Sequence, residues 1–105
     1  MIYANLFLTF CILIIPILLK LYPPKRINSY YGYRTPRSMK SDKNWKLGNQ
    51  IYSDYFLRFG FISAVIQYTL FFLFNESLAL WVSTVLWVFS VFFPIYLTEK
   101  HLKNP

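Results

Sequence analysis

The sequence predicts an all-α integral membrane protein: three transmembrane helices, with a basic cytoplasmic loop containing a short interfacial helix between spans one and two. Three observations carry this. Of 105 residues, 56% are hydrophobic and 22% aromatic, and only 14% are charged. Soluble domains carry roughly 25% charged residues and expose too much surface to hide this apolar load. The apolar residues fall into three blocks, each close to the roughly 20 residues that cross a bilayer as helix. The positive charge is concentrated beside those blocks rather than within them.

Span one runs from Ile2 to about Leu21, with Asn5, Thr9 and Pro16 inside it and no charge before Lys20. No basic residue precedes it and no small-residue cleavage site follows, so it reads as an uncleaved span and not a signal peptide. Pro16 lacks an N–H and is expected to kink the helix or end its regular part early.

The loop covers residues 22–54. Pro23-Pro24 forbids continued helix and starts an extended stretch, and Gly32 and Pro36 mark further turns. Ser41 is placed as an N-cap, with Asp42 favourable in the first helical turn. Trp45, Tyr52 and Tyr55 then share one helical stripe with Gly48. This predicts a short interfacial helix with its aromatics dipping into the headgroup boundary, feeding straight into the second span.

Span two covers about residues 55–74. Arg58 lies one turn inside it, where a long side chain snorkels to the headgroups, and Asp54 is spaced for an ion pair with it. Asn75-Glu76-Ser77 permits only a tight turn, so span three, about 78–97, returns antiparallel. The tail Thr98–Pro105 is polar and basic. Asn5, Thr9, Ser63, Gln67, Ser83, Thr84 and Ser90 are the polar positions available to join the helices. Gln67 is the best placed for an interhelical hydrogen bond. Residues 1–105 are expected to form a single membrane domain.

Topology follows from charge. The segment 20–54 holds eight Lys or Arg, the tail adds Lys100 and Lys103, and the turn between spans two and three has none. The positive-inside rule then places the loop and C-terminus in the cytoplasm and the N-terminus outside. Tyr3 and Trp81 fit an outer aromatic belt, and Tyr22, Tyr55 and Tyr96 an inner one. The formal net charge of +7 is met most cheaply by anionic lipid headgroups, not nucleic acid. Lys25, Arg26, Arg37, Lys40 and Arg58 are the candidates for headgroup contact.

Candidate chemistry is thin. One histidine, His101, and one cysteine, Cys11, cannot build a zinc site. Cys11 reads as a small buried hydrophobe. The carboxylates Asp42, Asp54, Glu76 and Glu99 have no spacing that brings two together, and no glycine-rich phosphate loop exists. No charge sits mid-span, where ion-coupled transporters usually place one. A non-enzyme without cofactor or metal is expected.

The remaining signal is Gly32-Tyr33-Arg34-Thr35-Pro36-Arg37-Ser38-Met39-Lys40-Ser41. The forked guanidinium groups of Arg34 and Arg37 suit a phosphate, a carboxylate or the carbonyls at a helix end. Charge alone reads it as an ordinary positive-inside loop. Asn28, Gly32, Tyr33, Arg34, Thr35, Pro36, Ser38, Ser41, Trp45 and Asn49, in that order and spacing, resemble the hallmark of the SdpI-like family of bacterial membrane proteins. In that family a proline-and-asparagine lead-in precedes a Gly-x-Arg-Thr-Pro core and a Ser or Thr two residues on. A Trp follows about nine residues after the proline, as Trp45 follows Pro36. The likeness covers roughly residues 23–60, in a chain with about half the spans of the full-length type. It implies a bacterial inner-membrane protein linked to immunity against a secreted antimicrobial peptide toxin, or to related membrane signalling. The peptide toxin or another membrane protein would be its partner, and an oligomer stays open. Two other readings stand beside it: a small structural or accessory subunit of a membrane complex, and an anionic-lipid-binding protein.

Overall fold

The computed structural model describes residues 2–103. The chain forms three helices: α1 (Ile2–Leu21), α2 (Asp42–Leu73) and α3 (Glu76–Lys103), with a single 3-10 turn at Ser38–Lys40 before α2. All three are long and apolar enough to cross a membrane. At 1.5 Å per residue, α1 is about 30 Å long, close to a bilayer's hydrocarbon thickness, whereas α2 and α3 run to about 48 and 42 Å. Since α2 and α3 are joined by a tight turn at one end, their surplus length projects together at the other. There the segment between α1 and α2 wraps them.

Pro16 lies inside α1 and does not end it. The predicted short helix is not a separate element. It is the first part of α2, which runs unbroken from Asp42 into the second span, so it does not lie flat in the interface. Asp42 opens the helix beside Ser41, whose Oγ accepts the Asn44 N–H at 3.1 Å. The predicted polar tail is helical to Lys103; Asn104 and Pro105, like Met1, lie outside the described residues.

The closest packing is between α2 and α3. The buried residues of α3 are Ala79, Ser83, Trp87, Ser90, Pro94, Thr98 and Leu102, a three-and-four spacing that keeps one face inward. Most are small, which lets the backbones approach as membrane helices do. Facing them, α2 buries Phe56, Gly60, Ser63 and Gln67, and Ser63 and Ser90 hydroxyls meet at 3.0 Å. α1 joins through polar groups. Gln67 Nε2 donates to Asn5 Oδ1 at 2.8 Å, and Thr9 Oγ1 donates to Gln67 Oε1 at 2.9 Å. Thr84 does not join helices; it faces outward and bonds the Leu80 carbonyl of its own helix. Large apolar side chains such as Phe7, Phe10, Phe72 and Phe92 face outward, as lipid-facing residues should.

Candidate functional site

The loop is built by its own polar side chains. After Pro23-Pro24, Asn28 turns the chain: its Oδ1 accepts the N–H groups of Tyr30 and Tyr31 at 3.0 and 2.6 Å, an Asx turn that asparagine favours. The Tyr31 hydroxyl reaches back to α1 and donates to the Tyr22 and Leu18 carbonyls at 2.7 and 3.2 Å. The Leu18 carbonyl also accepts the Tyr22 N–H at 2.8 Å, while the Tyr22 carbonyl lies just past the last helical turn, where intrahelical partners run out.

Gly32 follows with φ 110°, a conformation that favours glycine. This brings the Tyr33 N–H onto Asn49 Oδ1 at 2.6 Å, while Asn49 Nδ2 donates to the Trp45 carbonyl one turn earlier in α2. Trp45 is 1% exposed, and its indole N–H donates to the Pro24 carbonyl at 2.9 Å. One helix turn, from Trp45 to Asn49, therefore clamps both ends of the 24–33 stretch.

Thr35 and Ser38 close the next turn: Ser38 Oγ accepts the Thr35 N–H at 2.8 Å, and Thr35 Oγ1 accepts the Ser38 N–H at 3.2 Å. The Ser38 hydroxyl, fully buried, donates to the Tyr33 carbonyl at 2.9 Å.

Tyr33 connects this loop to α3. Its ring packs against Tyr52 with centroids 4.7 Å apart, and its hydroxyl donates to Glu99 at 2.6 Å. Arg37 approaches the other Glu99 oxygen at 3.6 Å. Burial, and then the hydrogen bond and charge of Glu99, push the Tyr33 phenol well above its usual range. It stays a neutral donor and is unsuited to act as a base.

The structure thus brings together Asn28, Gly32, Tyr33, Thr35, Ser38, Trp45 and Asn49, with Ser41 capping α2 beside them. Arg34 and Pro36 stay exposed. Arg34 donates to the Ser29 carbonyl and borders an open cleft of about 420 Å³ lined by Tyr33, Thr35, Met39, Tyr52 and Ile95.

Two expectations change. Trp45 and Tyr52 do not dip into headgroups, because the loop and α3 cover them; Tyr55 is half-buried beside His101. Asp54 pairs with Lys20 of α1 at 2.5 Å, and Arg58 points outward. Arg37, Lys25, Arg26 and Lys40 are all exposed, and Arg37 also lies 3.6 Å from Glu99. Sequence reasoning missed Tyr31 and Glu99. A signal existed for Glu99: it follows Val91 and Ile95 at four-residue spacing, so it shares their face of α3 at the helix's polar end. Among the described residues, no three His, Cys, Asp or Glu groups gather where a metal could bind.

Residues 25–98 match the SdpI/YfhL protein family. The chain belongs to that family. The matched stretch takes in the loop from Lys25 onward with Trp45 and Asn49, all of α2 and most of α3, ends one residue before Glu99, and leaves α1 outside. The chain is also similar to the uncharacterized protein YfhL of Bacillus subtilis (strain 168), 36% identical over 87 residues, covering 83% of this chain and 74% of the relative. No solved structure matches it.

Proposed function

We propose that this SdpI-family chain is a non-catalytic protein of the bacterial inner membrane that protects the cell against a secreted membrane-active peptide. Its N-terminus faces outside, and the clamped loop with the ends of α2 and α3 forms a cytoplasmic platform. The observation that supports this reading is how the motif uses its polar groups. Asn28, Thr35, Ser38, Trp45 and Asn49 bond within the platform. Arg34, by contrast, lies at the exposed rim of the cleft with its guanidinium held by a neighbouring carbonyl. Its remaining N–H groups can grip a carboxylate or phosphate on a partner at the membrane face.

The test is a toxin challenge of cells lacking the gene, complemented with wild-type protein or Arg34→Ala. The wild type should restore resistance. The variant should reach the membrane in equal amount and fail to protect. Unchanged sensitivity on deletion of the gene removes the protective role.

A further inference from the structure

A second cleft, of about 650 Å³, lies on the opposite side of the Trp45–Asn49 turn, between the end of α1 and the projecting half of α2. Its lining is graded. Pro23, exposed just past the end of α1, forms an apolar lip, with the buried Leu19 behind it. Lys25 and Lys46 stand beyond that lip, and Gln50 and Ser53 lie between. Lys20 also lines it but is bound to Asp54. Among the described residues neither Lys25 nor Lys46 has a carboxylate partner within ion-pair distance. Three lysines against the cleft's two aspartates, Asp42 and Asp54, leave one net positive charge. That balance suits a monoanion. A phosphomonoester dianion would leave negative charge uncompensated beside two carboxylates.

We propose that this cleft binds a glycerol-type phosphodiester, the headgroup of an anionic phospholipid or its soluble counterpart. Lys25 and Lys46 meet the phosphoryl oxygens as point charges. The headgroup hydroxyls donate to the aspartate oxygens and to Ser53 Oγ, whose own proton is given to the Gln50 carbonyl. The exposed Pro23 lip faces the acyl chains. This site is distinct from the Arg34 cleft and does not depend on the protective role.

Native mass spectrometry of the purified full chain in detergent tests it. Phosphatidylglycerol, phosphatidylcholine and deacylated glycerophosphoglycerol are each offered. One phosphatidylglycerol should be retained per chain under conditions that strip phosphatidylcholine. Lys25→Gln combined with Lys46→Gln should weaken retention by about tenfold or more, given about 1 kcal/mol per lysine near a membrane surface. Lys100→Gln, an exposed charge on α3 outside the cleft, should leave it unchanged. Both lysines are exposed, so the double variant should keep the wild-type melting temperature. Glycerophosphoglycerol binding as tightly as the lipid keeps the phosphodiester site and assigns its ligand to the soluble pool. Equal retention of both lipids with no binding of the deacylated diester overturns the proposal. So does a Lys100→Gln loss as large as the double variant's.

Discussion

The side-chain oxygen of Asn49 accepts the backbone N–H of Tyr33 at 2.6 Å, in a site where Asn49 is 2% exposed. That bond holds a loop residue to a helix sixteen positions away, and the same amide caps the Trp45 carbonyl. Asn49→Ala removes both partners and leaves the buried Tyr33 N–H without an acceptor, a cost of about 1–3 kcal/mol. The loop carries Lys25, Arg26, Arg34, Arg37 and Lys40, so its release is readable by trypsin. Cleavage between residues 25 and 40 should speed up markedly in the variant, while α2 and α3 stay protected.

Two glycines face the same turn and should respond differently to alanine. At Gly32 the backbone has φ 110°, and a Cβ would lie 2.7 Å from both Asn49 Oδ1 and Pro24 Cγ. The strained backbone alone costs about 1–3 kcal/mol, and the two clashes add to it. At Gly48 the backbone is helical, and the nearest atom is the Leu102 Cδ1 methyl at 3.2 Å, the far end of a flexible side chain. Alanine there also gains about 1 kcal/mol of helix propensity. Gly32→Ala should lower the melting temperature in detergent clearly more than Gly48→Ala. Equal losses would contradict the loop geometry.

The same turn shows what the sequence could and could not reveal. Ser41 as a cap and Gln67 as a bridge were readable because one depends on local residues and the other on depth within a span. The stripe of Trp45 and Tyr52 was equally visible, but periodicity says only that a face is apolar. It does not say whether lipid or protein covers it. The cover is the loop, through Pro24 on Trp45 and Tyr33 on Tyr52, together with α3, whose Val91 carbonyl accepts the Tyr52 hydroxyl, brought in by contacts far apart in sequence. Asp54 illustrates the same limit: Arg58 is its neighbour by helical spacing, yet the partner is Lys20, 34 residues earlier, since only folding places the end of α1 beside it. The motif's residue types were legible; their division into clamp and exposed rim required the fold.

Within the membrane, Gln67 is fully buried and bonded to both Asn5 and Thr9 of α1. Membrane interhelical hydrogen bonds contribute about 0.6–2 kcal/mol. Gln67→Leu should loosen α1 from α2 by about that amount while leaving the α2–α3 pair, which meets through Ser63 and Ser90, in place. Cysteine pairs engineered across α1–α2 and across α2–α3 report this: crosslinking should fall for the first and hold for the second.

Glu99 is held from two sides, and the two holds differ in strength. Arg37 stands at 3.6 Å with half of its side chain exposed, and such surface pairs contribute about 0–1 kcal/mol. Tyr33 donates to the carboxylate at 2.6 Å from a site 5% exposed, and a hydrogen bond to a charged group contributes about 1.5–3 kcal/mol. Tyr33→Phe should therefore destabilise the loop more than Arg37→Ala. In the double variant the two losses should not simply add, because they share one carboxylate.

Tyr33 also predicts how stability depends on pH. Its folded-state pKa lies above the ordinary tyrosine value of 10.0, first through burial and then through Glu99. The folded state therefore holds the phenolic proton more tightly than the unfolded chain does. The resulting stability is complete below pH 10 and is lost as the pH rises above it, where the unfolded chain ionises and the folded one resists. Melting temperature in detergent should fall more steeply above pH 10 for the wild type than for Tyr33→Phe. Glu99→Gln removes the charge that helps hold the proton, so the phenol should ionise at lower pH than in the wild type, while burial still keeps it above 10. Ultraviolet titration of phenolate in the three proteins separates the two causes. Identical alkaline slopes for wild type and Tyr33→Phe would contradict the burial of Tyr33 in the folded loop.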